Sequence, residues 1–356
     1  MNKKLLEKIL KNSPTKYASI LSESEFFNKK DVIQTNLPIL NVAFSGSLDG
    51  GMASGLTIFA GQSKSFKTLL GLFCVKAYLN KYPDAVCVFY DSEGGITPEY
   101  LSSNGIDPDK VIHIPIEHLE MLKFDMVKTL KEIERTDKVI ILVDSIGNTS
   151  SLKELQDALD EKTVAEMQRA KTLKGLFRMI TPSLIAKDIP CICIAHTYQT
   201  MEMYSKAVIS GGTGLMYSCN QAFIITKSQD KDTSGLVGWN FTINIEKSRY
   251  VREKSKLIFN VNYKNGINKW SGLLELALES GHVIKPKNGW YQKVNMETGE
   301  IGEKSFREKD TNSGDFWNPI LEALSFKQFV CDKYALSSSS LKDEDSSEVY
   351  EDLDEE

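Results

Sequence analysis

Residues 60–68, AGQSKSFKT, place Gly61, Lys67 and Thr68 at the spacing of a phosphate-binding loop, with Phe66 in the seat of that motif's second glycine. In such a loop, backbone N–H groups of Gln62, Ser63, Lys64, Ser65 and Phe66 and the following helix N-terminus surround phosphate oxygens with donors. Lys67 then reaches the β and γ phosphates, and the Thr68 hydroxyl ligates Mg2+. A serine-rich turn would spell much of the same stretch, so two carboxylates carry the reading further. KVIILVDS ends an apolar run in Asp144, where a strand-end carboxylate can hold the water shell of Mg2+. AVCVFYDSE puts Glu93 at a second such end, placed to orient and deprotonate an attacking water. Each acid alone could simply close a strand at the surface. Together, at the C-terminal ends of successive buried strands, they converge on the crevice where α/β sheets bind ligands, and they point to ATP hydrolysis.

The elements that must position these groups follow an α/β pattern. Residues 56–61, 85–91, 111–116, 138–144 and 189–196 read as fully buried strands, and residues 67–81, 97–103, 117–135 and 163–187 have helical periodicity. After residue 220, QAFIITKS, WNFTINIEKSR and KLIFNVNY alternate with short connections, which predicts an antiparallel continuation of the sheet. Residues 271–336 hold a helix (SGLLELALES), a hairpin-like segment turning at NMETGE, and one aromatic-bearing helix (DFWNPILEALSFKQFV). The expected division is an N-terminal arm (1–36), a nucleotide-hydrolysing core (37–270), a small C-terminal α+β region (271–336) and an acidic tail (337–356). The arm is too short for an enzyme, so it packs on the core or on a neighbour.

Composition bounds the class. The 356 residues are 41% hydrophobic and 26% charged, as in an ordinary globular chain. No apolar run suits a signal peptide or membrane span, which leaves a cytosolic setting as the expectation. The six cysteines lack C-x-x-C spacing and sit mostly in apolar runs, reading as reduced core residues rather than zinc ligands. The net charge of −5 conceals nine acids and no base in residues 343–356, without which residues 1–342 stand at +4. That asymmetry suits a polyanion binder carrying its own competitor, and equally a solubilising tail.

The order of AGQSKSFKT, YPDAVCVFYDSEGGITPEYL, VDSIGN, RAKTLKGLFR, HTYQTMEMYSKAVISGGTG, IEKSR and KPKNGWY resembles the RecA family of recombinases over roughly residues 20–335, most closely its T-even bacteriophage branch. That branch carries the same phenylalanine before its P-loop lysine. The resemblance implies a RecA-like P-loop NTPase core with an N-terminal polymerisation arm, forming a helical filament of protomers on single-stranded DNA with ATP held between neighbours. It implies Glu93 as the catalytic glutamate, Asp144 as the Walker-B aspartate, His196 as the γ-phosphate sensor, and Tyr100, with Tyr263 as a second candidate, against adenine. It also implies homologous double-stranded DNA, a recombination mediator and a single-stranded-DNA-binding protein as partners, in the cytoplasm of a bacterial host.

The loop after His196 mixes aromatics, methionines and a lysine before a glycine pair, residues able to stack on bases and to offer N–H groups to phosphate. Tyr198, Met201, Met203, Tyr204, Lys206, Gly211 and Gly212 are its candidate DNA contacts, and it corresponds to the family's second DNA-binding loop. SSLKELQDALDEK corresponds to the first. Lys171, Lys174 and Arg178 fall on one helix face that can track a DNA backbone. Lys247 and Arg249, two apart in an alternating strand, are expected to point to one face. The family places such a pair across the subunit interface, reaching the neighbour's γ-phosphate like an arginine finger. The expected function is an ATP-dependent DNA recombinase performing pairing and strand exchange. A ring-forming helicase and a DNA-coating protein that binds ATP without hydrolysing it are the rivals.

Overall fold

A computed structural model describes residues 3–15, 18–24, 32–161, 167–200, 207–232, 235–264 and 266–336. The chain forms β1 (Gly55–Gly61), β2 (Val86–Asp91), β3 (Val111–Pro115), β4 (Val139–Asp144), β5 (Pro190–Gln199), β6 (Ala207–Ile209), β7 (Gln221–Asp232), β8 (Gly235–Lys247), β9 (Lys256–Asn262) and β10 (Gly266–Ile267). These build one sheet in the order β10-β9-β8-β7-β1-β5-β4-β2-β3, with β6 paired to β5. The strands from β7 to β3 run parallel, while β7, β8, β9 and β10 are antiparallel neighbours. The fold is thus α/β, a mostly parallel sheet with an antiparallel extension.

Alternation along the central strands divides the core in two. Phe59, Leu142 and Ile194 face a cluster with α2 (Pro38–Ser45) and α3 (Lys67–Lys81). Ile58, Ile141 and Cys193 face α5 (Leu119–Glu132) and α7 (Met167–Ala186). Both faces are covered by helices, so these strands read as continuous apolar runs rather than alternating ones. β3 departs from that expectation: it is the outermost strand, and Ile112 is 53% exposed. Its apolar letters do not reveal that only one strand flanks it.

The remaining helices are α1 (Lys3–Asn12), α4 (Pro98–Ser103), α6 (Leu152–Leu159), α8 (Thr213–Ser218), α9 (Leu273–Glu279), α10 (Gly314–Glu322) and α11 (Leu324–Tyr334). SSLKELQDALDEK is largely α6, opened by a capping box between Ser151 and Glu154. The single helix expected over 315–330 is two. Continued straight, the stripe of Phe316 and Ile320 would bury Leu324, yet Leu324 is 82% exposed and Phe326, Val330 and Tyr334 are buried instead. Ala323, extended at ψ 121°, makes that change of phase. Pro319 also leaves the Asp315 carbonyl without its helical donor, and Lys293 Nζ donates to it at 3.1 Å. A three-stranded sheet of β11 (Val283–Lys287), β12 (Trp290–Lys293) and β13 (Phe306–Arg307) joins these helices. Tyr291, Phe306, Trp317 and Phe326 belong to the same apolar cluster as Phe59 and Phe241. The cysteines are unpaired, five of them buried.

Candidate functional site

β1, β2, β4 and β5 end at one rim of the sheet, which register fixes closely. Gly61 stands beside His196, and Asp91 beside Asp144. The rim borders a cleft of about 340 Å3 lined by Ser63, Lys64, Ser65, Phe66, Lys67, Thr68, Glu93, Tyr100, Asp144 and His196. Gly61 and Gln62 lead into it.

Phe66 is accommodated by conformation. Its φ of 60° lies in the left-handed region that a glycine would fill without strain, and its ring packs at 4.7 Å from that of Phe241. Lys64, at φ 58°, takes a second left-handed turn. Lys67 is buried, its Nζ donating to the Gln62 carbonyl at 2.7 Å and to Ser65 Oγ at 3.3 Å. Burial lowers its pKa, with Asp144 and Glu93 pulling the other way. Thr68 Oγ1 donates to Asp144 Oδ2 at 2.6 Å, while the buried Asp144 Oδ1 has no partner. Burial pushes the Asp144 carboxyl up to about 6; Thr68's hydrogen bond lowers it, and the charges of Glu93 and Asp91 raise it further. Among the described residues no group of three His, Cys, Asp or Glu side chains gathers as a metal cage. One hydroxyl and one carboxylate with an unused oxygen fit Mg2+, which favours water and phosphate oxygens for its other positions.

Glu93 Oε1 accepts from Ser145 Oγ at 2.8 Å and from Asn148 Nδ2 at 2.9 Å, with His196 Nε2 at 3.4 Å, the outer limit of a hydrogen bond. A Cβ on Gly147 would lie 2.4 Å from the His196 ring, so only glycine permits this approach. Arg169, from α7, donates to the carbonyls of Ile146, Gly147 and Thr149 and fixes the loop carrying Asn148. Ser145 follows Asp144 at the end of KVIILVDS, but Asn148 and Arg169 do not stand out by motif spacing. VDSIGN and RAKTLKGLFR hold them, but only tertiary contact reveals the part they play.

Beyond His196, β5 pairs with β6 through Tyr198 opposite Val208, so the glycine-bearing segment returns as a hairpin rooted at the cleft. Tyr198 is exposed, and Gly211 and Gly212 follow at positive φ before α8. Met201, Met203, Tyr204 and Lys206 lie outside the described residues. Lys171, Lys174 and Arg178 are exposed along α7, while Leu173, Leu176 and Phe177 are buried on its other side.

Two expectations change. Tyr263 is not among the cleft's lining residues; its hydroxyl accepts from Trp239 Nε1 at 2.7 Å, and Lys227, which stacks on Trp239, donates to the Lys64 carbonyl at 3.3 Å. Arg249 does not continue the strand alternation, because β8 ends at Lys247 and the chain bends. Lys247 Nζ donates to the carbonyls of Met216 at 2.6 Å and Tyr217 at 3.3 Å near the end of α8. Its partner in register, Ala222, lies beside Ile58 in the middle of β1, three residues short of Gly61, and β7 separates β8 from β1. Within one chain, Lys247 therefore stands away from the P-loop.

The family model described as bacteriophage T4 recombination and repair protein, C-terminal domain, matches residues 270–330. The recombination and repair protein of Enterobacteria phage T4 is 52% identical over 351 residues, 98% of this chain and 88% of that protein. Protein RecA of Mesomycoplasma hyopneumoniae is 25% identical over 340 residues, 91% of this chain and 98% of that protein. Protein RecA of Rhodopseudomonas palustris is 22% identical over 260 residues, 72% of each.

Proposed function

Because the chain belongs to the RecA family, in the branch of the phage T4 recombination and repair protein, we propose that it is an ATP-dependent recombinase that assembles as a helical filament on single-stranded DNA and pairs it with a homologous duplex. One observation carries the reading. A single carboxylate oxygen of Glu93 meets His196 at the root of the β5–β6 hairpin, which supports a reading in which the group that activates water and the base of the DNA-contacting segment share one junction.

In this reading the P-loop amides and Lys67 bind the triphosphate, and Thr68 and Asp144 hold Mg2+, which would offset phosphate charge. Glu93 orients and deprotonates the attacking water, its position set by Ser145 and Asn148. His196 senses the γ-phosphate and passes its presence to the hairpin. Tyr100 stacks on adenine. DNA is bound without base readout, by hairpin stacking and by Lys171, Lys174 and Arg178 against phosphates. Lys247, held at the end of α8, and Arg249 serve the site of the adjoining protomer, a contribution on the order of 10³-fold to hydrolysis. The arm of residues 1–36 makes the filament contact: α1 buries no side chain within its own chain, and Leu5 and Ile9 are exposed. Product identity (ADP, or AMP as well), mediator and single-stranded-DNA-binding partners, and a host-cytoplasmic setting complete the proposal. Among the described residues no helix is long and apolar enough to cross a membrane.

Joint-molecule formation between a single strand and a homologous duplex tests it directly. The purified protein is expected to form joints only with ATP and Mg2+. A ring-shaped helicase would form none and would unwind forked duplexes, while an ATP-binding coat would release no phosphate with or without single-stranded DNA.

A further inference from the structure

Asp91, the last residue of β2, is buried, and its two oxygens are divided between different tasks. Oδ1 accepts the backbone N–H groups of Glu93 at 2.9 Å and Gly94 at 2.8 Å. Oδ2 faces His113 Nε2 at 3.0 Å. A carboxylate offers only acceptors, so the imidazole Nε2 is the donor. His113 belongs to the outer strand β3, opposite Phe89, whose ring lies 5.4 Å away, and its side chain is half exposed.

The turn that carries Glu93 is held at two points. Upstream, Ser92 N donates to the Asp144 carbonyl, and the Ser92 hydroxyl exchanges hydrogen bonds with the backbone of Ser145. Downstream, the Asp91 carboxylate closes over the amides of Glu93 and Gly94. After that the chain is open, since a Cβ built on Gly94 or Gly95 would meet nothing within 4 Å. Without His113, Oδ2 is a buried acceptor lacking its donor, and the carboxylate is free to rotate and exchange the oxygen that clamps the turn.

We propose that His113 is a positioning residue for hydrolysis: through Asp91 it fixes the backbone of Glu93, and thereby the place of the Glu93 carboxylate against the attacking water. The inference rests on the reading of Glu93 as the water-activating group. His113 touches neither nucleotide-binding loop nor cation site, so its contribution falls on turnover and not on nucleotide affinity. A displacement of about 1 Å at a reacting group costs up to about 10²-fold in rate.

The test is single-stranded-DNA-stimulated ATP hydrolysis by full-length His113→Leu, His113→Gln and Glu93→Gln proteins, with binding of a fluorescent ATP analogue measured in parallel. His113→Leu is expected to lower kcat by roughly tenfold to hundredfold while KM and analogue binding stay within about twofold. His113→Gln, whose amide nitrogen can take the place of Nε2, is expected to recover most of that kcat. Glu93→Gln is expected to be inactive. If Glu93→Gln turns over normally, the reading of Glu93 falls and this inference with it. If Glu93→Gln is inactive but His113→Leu keeps the parental kcat, the inference alone is overturned. It is also overturned if His113→Leu loses analogue binding together with kcat and glutamine restores neither, the pattern of a purely structural residue.

Discussion

Lys67 and Asp144 share a cleft in which each charge is costly alone, and in the proposed reading bound nucleotide with Mg2+ would relieve both. Lys67→Ala is accordingly expected to abolish DNA-stimulated phosphate release, and an unchanged rate would contradict the placement of the triphosphate. The Asp144 carboxyl, pushed up to about 6 chiefly by burial, supplies a pH test. A cation binds the ionised form, so Mg2+ competes with a proton: affinity is near its plateau above pH 7 and falls as pH drops through 6, by at most about tenfold per unit. The same shift has the opposite sign for the cation-free fold. Between the ordinary carboxyl value of 3.8 and about 6 the native state holds a proton that the unfolded chain has released, so this group's contribution to stability is present at low pH and lost as pH rises through 6. Mg2+ titrations from pH 5 to 8, with Asp144→Asn as a variant expected to bind weakly and without that slope, check the claim. The position of such residues at the cleft is legible in the letters, because a short motif fixes Lys67 and Thr68 locally and strand ends announce Asp144 and Glu93. Asn148, Arg169 and His113 are not. Their contacts span tens of residues, which spacing does not encode.

The parallel strands and the helices between them were visible as apolar runs and 3.6-residue periodicity, because burial on both sheet faces leaves a strong compositional trace. Flanking context leaves a weaker one, so β3 reads as buried although it is an edge, and the break at Ala323 is hidden because its letters suit a continuous helix. Arg249 was misplaced for a similar reason, since alternation in the letters outlasts the strand. Within the P-loop element, Phe66 exchanges backbone ease for packing on Phe241. Phe66→Gly relieves about 1 kcal/mol of left-handed strain and forfeits a larger ring contact, so a net loss of about 1–2 kcal/mol is expected in denaturant unfolding. Hydrolysis should persist, because the glycine fits the phosphate-binding pattern. On α7, replacing Lys171, Lys174 and Arg178 together with alanine should weaken single-stranded-DNA binding uniformly across sequences. On a single strand each cation withdrawn from a phosphate lowers the salt-dependence slope by about 0.7, so a total change of about two is expected in binding isotherms across salt concentrations. An unchanged slope would make the face merely solvated.

At the scale of the whole molecule, the body and the acidic tail carry opposite charge. If the tail competes electrostatically for the DNA-binding surface, a chain ending at Lys342 binds single-stranded DNA more tightly than the full chain, and the difference shrinks with salt. If it serves an accessory protein instead, DNA affinity is unaltered. The larger claim is that a protomer holds half a catalytic site. P-loop, Glu93 and His196 gather at one rim, while Lys247 lies on β8, two strands from β1 and level with its middle. Head-to-tail assembly would bring the second set to the first. Mixing two inactive proteins tests this most directly. Lys67→Ala lacks the nucleotide-binding half but can lend cations, and the Lys247→Ala/Arg249→Ala double variant has the reverse defect. Mixed equally on single-stranded DNA, they should recover about a quarter of wild-type hydrolysis, the share of random interfaces that pair one intact half with the other. A mixture no more active than either parent, or a double variant that hydrolyses ATP normally by itself, would contradict the account.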